Sequence, residues 1–397
     1  MQREIYFDNH ATTRTDPRVV DTMLPWMVTE FANPGSITHE PGRRVAAKMD
    51  ECRDRIQQIL NAPDSDLIFT SGATESINLA LFGTALHPKQ KRRKIVSAAT
   101  EHRAVLDPLH RLQKSGWEIV HLQIEASDPG RIGEIDLASA EKEIDDSTAL
   151  VCLMLGNNEI GTIQPFDKIA QLCRDRGALL HIDASQAIGK LSVDFESLGA
   201  DLLSFSSHKF YGPKGIGGLL INRETASRRL LPQIVGGGQQ SNLRSGTLNS
   251  VGIVGMAAAI QYAVEELNRE SQRLASLRDR LWHRLHTGIE GLLINGPDWR
   301  EEGNAVHRLP GNLNICFPCV EGQSLMLRTP LLAVSSGSAC TSAEPHPSHV
   351  LLAIGRSEDQ ARSSIRFGLG RFNTPDEVDQ AADWLIQAYR DLASFVA

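Results

Sequence analysis

Residues 149–183 read ALVCLMLGNNEIGTIQPFDKIAQLCRDRGALLHID. An apolar run, ALVCLML (149–155), leads through a polar loop to an amphipathic stretch, FDKIAQLCRDRG, and then to a second apolar run, ALLHID (178–183). Neither apolar run alternates with polar residues, so each reads as a strand buried on both faces. Strand, helix and strand in that order describe a parallel crossover unit. The pattern extends in both directions. LIFT (67–70) precedes ATESINLALFGTAL, and IVSAAT (95–100) precedes EHRAVLDPLHRLQKSG and EIVHL (118–122). DLLSFSS (201–207) and GGLLIN (217–222) follow. The expectation is an α/β chain built on a mainly parallel seven-stranded sheet.

Beyond that region the pattern changes. Residues 256–290 have a helical period and read as a bridge between domains. GNLNICF (311–317), LLAVSS (331–336) and SSIRFGL (363–369) read as strands of a smaller α+β domain. The last helix, TPDEVDQAADWLIQAYRDLASFVA, opens with threonine as its cap and proline as its first residue.

Composition narrows the function classes. The 397 residues exceed what one compact core accommodates, so two domains are expected. Net charge is −7, and the short basic run KQKRRK (89–94) sits in front of a strand as a solvated turn, which argues against nucleic acid as a partner. No apolar run approaches a membrane span, and the N-terminal stretch has no signal-like apolar segment. Six scattered cysteines suit a reduced, cytoplasmic address. The pair Cys316 and Cys319 lies in a strand interrupted by Pro318, away from the helix start that redox pairs prefer. Cys340, His346 and His349 are too few, on a proline-broken loop, for a closed structural metal site.

In open α/β sheets, ligands bind beyond the carboxyl ends of the strands, and those ends carry chemistry here. After LIFT, the N–H groups of Ala73 and Thr74 with the Thr74 hydroxyl can form an anion cup, although a plain helix cap reads the same way. His102 follows IVSAAT; Asp183 and Gln186 follow LLHI; Ser206, His208 and Lys209 follow LLSF. A carboxylate or an ammonium at a buried strand end needs a partner or a shifted pKa. Lysine for a Schiff base, aspartate for a pyridinium nitrogen and an anion cup together suit pyridoxal phosphate. GPKGIGG (212–218) matches neither dinucleotide nor P-loop spacing and precedes a strand.

The ordered motifs DNHATT (8–13), NPGS (33–36), TSGATES (70–76), TEH (100–102), NNEIG (157–161), HIDASQ (181–186), SFSSHKFYGPKG (204–215), RSGT (244–247), SSGSACTSA (335–343) and SSIRFGLGRF (363–372) resemble the cysteine desulfurases, pyridoxal-phosphate enzymes of the class V aminotransferase fold. That resemblance implies a fold-type I transferase with a large cofactor-binding domain over 14–257 and a small domain over 1–13 and 258–397. It implies removal of sulfur from L-cysteine to give L-alanine and a persulfide on Cys340, whose loop of small residues lets the thiol travel. The sulfur then goes to an acceptor such as an iron–sulfur scaffold protein, with Cys340 at most a transient cluster ligand and no intrinsic metal site. Lys209 would carry the cofactor and move the substrate proton. Asp183 would keep the ring nitrogen protonated, and His102 would stack on the ring. Gln186 and Asn158 would bond the ring hydroxyl and the substrate region. Ala73, Thr74, Ser206, Ser207 and His208 would cradle the phosphate, with Thr247 supplied by the second subunit of a homodimer. Arg366, with Asn33 beside it, would clamp the substrate carboxylate. Two features depart from the pattern: Ser207 stands where relatives carry glycine or alanine, and the chain ends soon after its last helix. The competing readings are a selenocysteine lyase or another class V aminotransferase, and a scaffold-binding module without turnover. Cys340 argues against a plain transaminase, and the intact Lys209, Asp183, His102 and Cys340 set argues against loss of catalysis.

Overall fold

The computed structural model describes residues 4–226, 229–300, 307–336 and 347–394. Among them β1 (Ile5–Tyr6) opens the chain, followed by α1 (Pro17–Val28) and α2 (Glu40–Ile59). The large sheet is made of β2 (Ser65–Thr70), β3 (Lys94–Ala98), β4 (Glu118–Leu122), β5 (Thr148–Met154), β6 (Leu179–Asp183), β7 (Leu202–Ser206) and β8 (Gly217–Asn222), in the order β2-β8-β7-β6-β5-β3-β4. Neighbours from β7 through β4 pair in parallel, and only β8 runs antiparallel to both its partners. The seven expected strands form in the expected places.

Their apolar runs are buried on both faces, as non-alternating strands must be. On one face α3 (Ala73–Ala85) and α4 (Arg103–Lys114) cover Ile68, Ile95, Leu150 and Leu202. On the other, α2 and α6 (Phe166–Arg176) pack over Leu67, Val96, Val151 and Leu203, and the short α5 (Leu137–Glu143) adds Ala140 to the same core.

The helical stretch expected over 256–290 is two helices, α7 (Ser250–Glu265) and α8 (Leu267–Gly288). The break falls at Glu266, which lies between the two helices and whose carboxylate binds Arg18 at 2.9 Å and Arg371 at 3.3 Å. Ile253 to Ala263 join the core of the large sheet, whereas Leu274 to Leu285 join a second core. That second core contains α12 (Pro375–Ala393) and a three-stranded antiparallel sheet of β9 (Leu293–Ile294), β10 (Asn312–Cys316) and β12 (Ser364–Gly368). β11 (Leu332–Ala333) pairs with β1, and the short helices α9 (Gly322–Arg328), α10 (His349–Ala353) and α11 (Glu358–Arg362) complete this unit. Thr374 caps α12 by accepting from the Glu377 N–H, and Pro375 is its first residue, as expected.

None of the described helices is long and apolar enough to cross a membrane. Cys316 ends β10 in the interior while Cys319 is exposed, and no metal-binding cluster of His, Cys, Asp or Glu occurs among the described residues.

Candidate active site

The carboxyl ends of β3, β5, β6 and β7 and the start of α3 enclose a cavity of about 530 Å³. α3 begins at Gly72, whose φ of +151° suits glycine and whose lack of a side chain leaves the first turn uncapped. The N–H groups of Ala73 and Thr74 therefore open toward the cavity at the positive end of a thirteen-residue helix. Ser206 and His208, at the end of β7, line the same corner. His208 hydrogen-bonds Thr12 Oγ1 through Nδ1 at 3.0 Å, and burial, with Lys209 adding to it, lowers its pKa to about 4. It is thus neutral near pH 7.

Lys209 projects into the cavity and donates through Nζ to the carbonyls of His10 (2.6 Å) and Ala11 (2.8 Å). Gln186 donates to the same His10 carbonyl at 2.8 Å. Asp183, buried at the end of β6, accepts from the Ser185 N–H (2.9 Å) and hydroxyl through one oxygen, Oδ1. His102 is the N-cap of α4: its Nδ1 accepts from the Ala104 N–H at 3.0 Å. That bond commits Nδ1, so a proton can enter or leave the imidazole only at Nε2. Burial holds its pKa below the ordinary value despite the nearby Asp183 carboxylate.

Arg366 comes from the other unit, on β12. Its Nη2 pairs with Asp8 at 2.8 Å and its Nη1 donates to the Asn158 carbonyl at 3.2 Å, while its buried Nε finds no acceptor among the described residues. A nearly inaccessible guanidinium with a spare donor is prepared for an anionic ligand.

Ten of the expected residues therefore line one cavity: Ala73, Thr74, His102, Asn158, Asp183, Gln186, Ser206, His208, Lys209 and Arg366, joined by His10, which the sequence reading left without a role. Ser207 does not. Its side chain is fully buried and points at Gly212, where an added Cβ would come within 1.9 Å of Ser207 Oγ. β7 ends at Ser206 and residues 207–209 form a 3-10 turn, which sends His208 and Lys209 to the cavity and turns Ser207 to the packed side. Asn33 is exposed, spends its carbonyl on the Gly35 N–H at 2.9 Å, and stands outside the cavity of this chain. Thr247 is exposed and also outside it. Cys340 and His346 lie outside the described residues, whereas His349 reaches the Glu101 carbonyl at 2.9 Å beside the cavity.

Two buried carboxyl groups were missed. Glu101 accepts from the Met154 N–H at 2.9 Å, leaves its second oxygen without a partner among the described residues, and is held well above the ordinary carboxyl pKa by burial. Glu159 binds the Ser348 hydroxyl. Their signal lay in TEH and NNEIG, acidic residues within strand-end motifs.

The arrangement fits pyridoxal phosphate on the features just described. An uncapped helix start could receive its phosphate, the Lys209 amine its aldehyde, and the buried Asp183 carboxylate its ring nitrogen.

The class-V aminotransferase family model matches residues 5–381. The chain is 44% identical over 381 residues to a cysteine desulfurase IscS from Anaeromyxobacter dehalogenans, covering 96% of this chain and 91% of the relative. It is 45% identical to the cysteine desulfurase IscS of Methylococcus capsulatus with the same coverage. Among solved structures, a NifS-like protein superposes with a TM-score of 0.86 at 34% identity, covering 99% of this chain and 100% of its own. SspA in complex with cysteine gives 0.78 at 31% identity, covering 93% and 100%.

Proposed function

The chain belongs to the class-V aminotransferase family, as a cysteine desulfurase that works with pyridoxal phosphate, and on that premise we propose how its own residues divide the work. When bound, pyridoxal phosphate supplies an aldehyde that condenses with amines and a ring that accepts the electron pair of the substrate Cα–H bond.

Lys209 holds the group through Nζ and, once freed by the incoming amino acid, carries the proton at substrate Cα. Asp183 pairs with the ring nitrogen and keeps it protonated. Ala73, Thr74, Ser206 and His208 hold the phosphate, and Thr247 reaches the same phosphate from a second copy of the chain. His102 stacks on the ring and exchanges protons at Nε2. Gln186 and Asn158 bond the ring oxygen and the substrate side. Arg366 takes the substrate carboxylate in its planar fork. The Cys340 thiolate attacks the substrate sulfur: an S–S bond forms, the C–S bond breaks with its electrons going to Cβ, and protonation at Cβ with return of a proton to Cα by Lys209 completes alanine. The sulfur leaves as a persulfide on Cys340 and passes to an acceptor protein in the cytoplasm, an iron–sulfur scaffold being the expected one.

The dimer has its own support. Val20, Leu24, Met27 and Val28 on α1, with Phe31, Ile37 and Val235, are exposed apolar side chains, a surface suited to a second copy. A division into two domains completes the proposal, its boundary moved from the expected 257/258 to Glu266 because α7 packs with the large core and α8 with the second.

The observation that carries the reading is the Lys209 amine at the foot of a cavity shared with Asp183 and the open start of α3. The test is Lys209→Ala. The native chain should turn yellow with pyridoxal phosphate and, with a thiol reductant present to reduce the persulfide, release equal amounts of alanine and sulfide from cysteine. The variant should bind the cofactor only reversibly and release neither. Turnover retained by the variant would overturn the assignment.

A further inference from the structure

Lys190 is an amine the proposed chemistry does not use. It follows β6, it is buried, and among the described residues no carboxylate lies within ion-pair distance of it. Burying an unpaired ammonium is costly, so a chain that does it needs a reason. Its Nζ donates to Gln186 Oε1 at 3.3 Å and to the Lys209 backbone carbonyl at 3.3 Å. Both contacts run toward the cavity wall.

The geometry fixes what Gln186 can offer. An ammonium has donors only, so the face of the Gln186 amide turned to Lys190 is its carbonyl oxygen. The amide nitrogen is then turned to the His10 carbonyl, 2.8 Å away, which takes one N–H and leaves the other for the cavity. Without Lys190 the amide keeps only the His10 contact, so its aim toward the cavity is held at one end instead of two. The second contact, to the Lys209 carbonyl, anchors the backbone that carries the reactive amine.

We propose that Lys190 is a positioning residue, which holds the Gln186 amide with N–H toward the cofactor oxygen and fixes the Lys209 backbone. This rests on the reading of the cavity as a pyridoxal-phosphate site. The titratable groups facing Lys190 are Lys209 after β7, His10 on the N-terminal segment and His208. From α8, Ser271 donates to the Lys190 carbonyl at 3.2 Å, but the adjacent Glu270 is engaged by Arg273 at 3.1 Å and is not a counter-ion. Burial, with Lys209 adding to it, brings the Lys190 pKa down to about 7.

The test is the pH titration of the visible absorbance of the bound cofactor, which reads the hydrogen bond to its ring oxygen and not turnover. An amide N–H stabilises the deprotonated ring oxygen, so its loss favours the protonated form. Lys190→Met should therefore move the absorbance midpoint up by about one pH unit. Gln186→Ala should move it in the same direction, and the double variant no further, because both changes remove one interaction. Lys190→Gln, which keeps a donor without charge, should restore most of the native midpoint.

A native midpoint in Lys190→Met overturns the proposal. So do additive shifts in the double variant, or a Lys190→Gln midpoint equal to that of Lys190→Met, which would mark a charge effect alone. Should Lys190→Met fail to fold, the comparison of Lys190→Gln with Gln186→Ala decides: equal shifts overturn the proposal. Mass spectrometry after borohydride reduction of the native protein separately shows whether Lys209 carries the cofactor. Failure there overturns the cavity reading, and the Lys190 proposal with it, whereas a native midpoint in Lys190→Met with Lys209 labelled overturns the proposal alone.

Discussion

Replacing Glu159 by glutamine should stabilise the protein, and more so as the pH rises. The Glu159 carboxyl is fully enclosed beneath the cavity, where its Oε2 accepts the Ser348 hydroxyl. Burial raises its pKa to about 7, with the Ser348 hydroxyl and the Arg366 charge pulling in the other direction without compensating. The folded pKa thus lies above the ordinary carboxyl value of 4.5. Below that value the group is protonated in both states and nothing is lost. As the pH climbs toward 7 the unfolded chain releases this proton first, so folding stability declines through that window and then levels off. At about 1.4 kcal/mol per unit, the loss is about 1 kcal/mol at pH ~5.5 and about 3 kcal/mol at pH ~8.5. Glu159→Gln is uncharged at every pH and can still accept from Ser348 through its amide oxygen, so it should recover those amounts. The assay is chemical denaturation of the cofactor-free protein at both pH values. A gain equal at the two pH values, or a loss at the higher one, would refute the reasoning.

Cys340→Ser should keep cofactor and bind cysteine yet form no persulfide, because a hydroxyl cannot accept sulfur; persulfide mapped by mass spectrometry onto Cys319 or a buried cysteine would reassign the nucleophile. Arg366→Lys should raise KM for cysteine by about 10- to 100-fold, since one ammonium replaces a planar fork and leaves Asp8 and the Asn158 carbonyl to share it. An unchanged KM would move the substrate carboxylate elsewhere. Sedimentation should show a dimer, and Val28→Glu with Phe31→Glu should weaken it and loosen cofactor binding together; a fully active monomer would remove the second copy from the site. His102→Gln should lower kcat while leaving the bound cofactor's spectrum in place, and a variant with native kcat would exclude proton exchange at Nε2.

The large sheet was legible because its physics is local. ALVCLML and ALLHID are apolar on both sides, and only a strand covered on both faces buries such a run. The cavity-lining groups were legible for the related reason that His102, Asp183 and Lys209 break the apolar pattern at strand ends, where a parallel sheet gathers its ligands. What escaped were matters of direction and of distant contact. Ser207 reads like its neighbours in SFSSHK, and only the 3-10 turn that it opens after β7 shows that it packs against Gly212. The break at Glu266 leaves no mark in a helical period that continues on both sides; it depends on Arg18 and Arg371, residues far away in the chain.

The same limit explains why His10 and Lys190 went unassigned. Their contributions come through a backbone carbonyl and a relayed amide, and neither is a property of the residue type that a motif displays. His10 serves with its carbonyl, which accepts from both Lys209 and Gln186, so the side chain named in DNHATT is not the group those two residues use. Lys190 stands one residue beyond a glycine turn after HIDASQ and reads as a surface lysine until its burial is known. The site therefore has two layers. Groups that meet the ligand interrupt a local pattern and can be read along the chain. Groups that aim them are chosen by the three-dimensional packing, and a change there should alter spectra and pH profiles before it alters the fold.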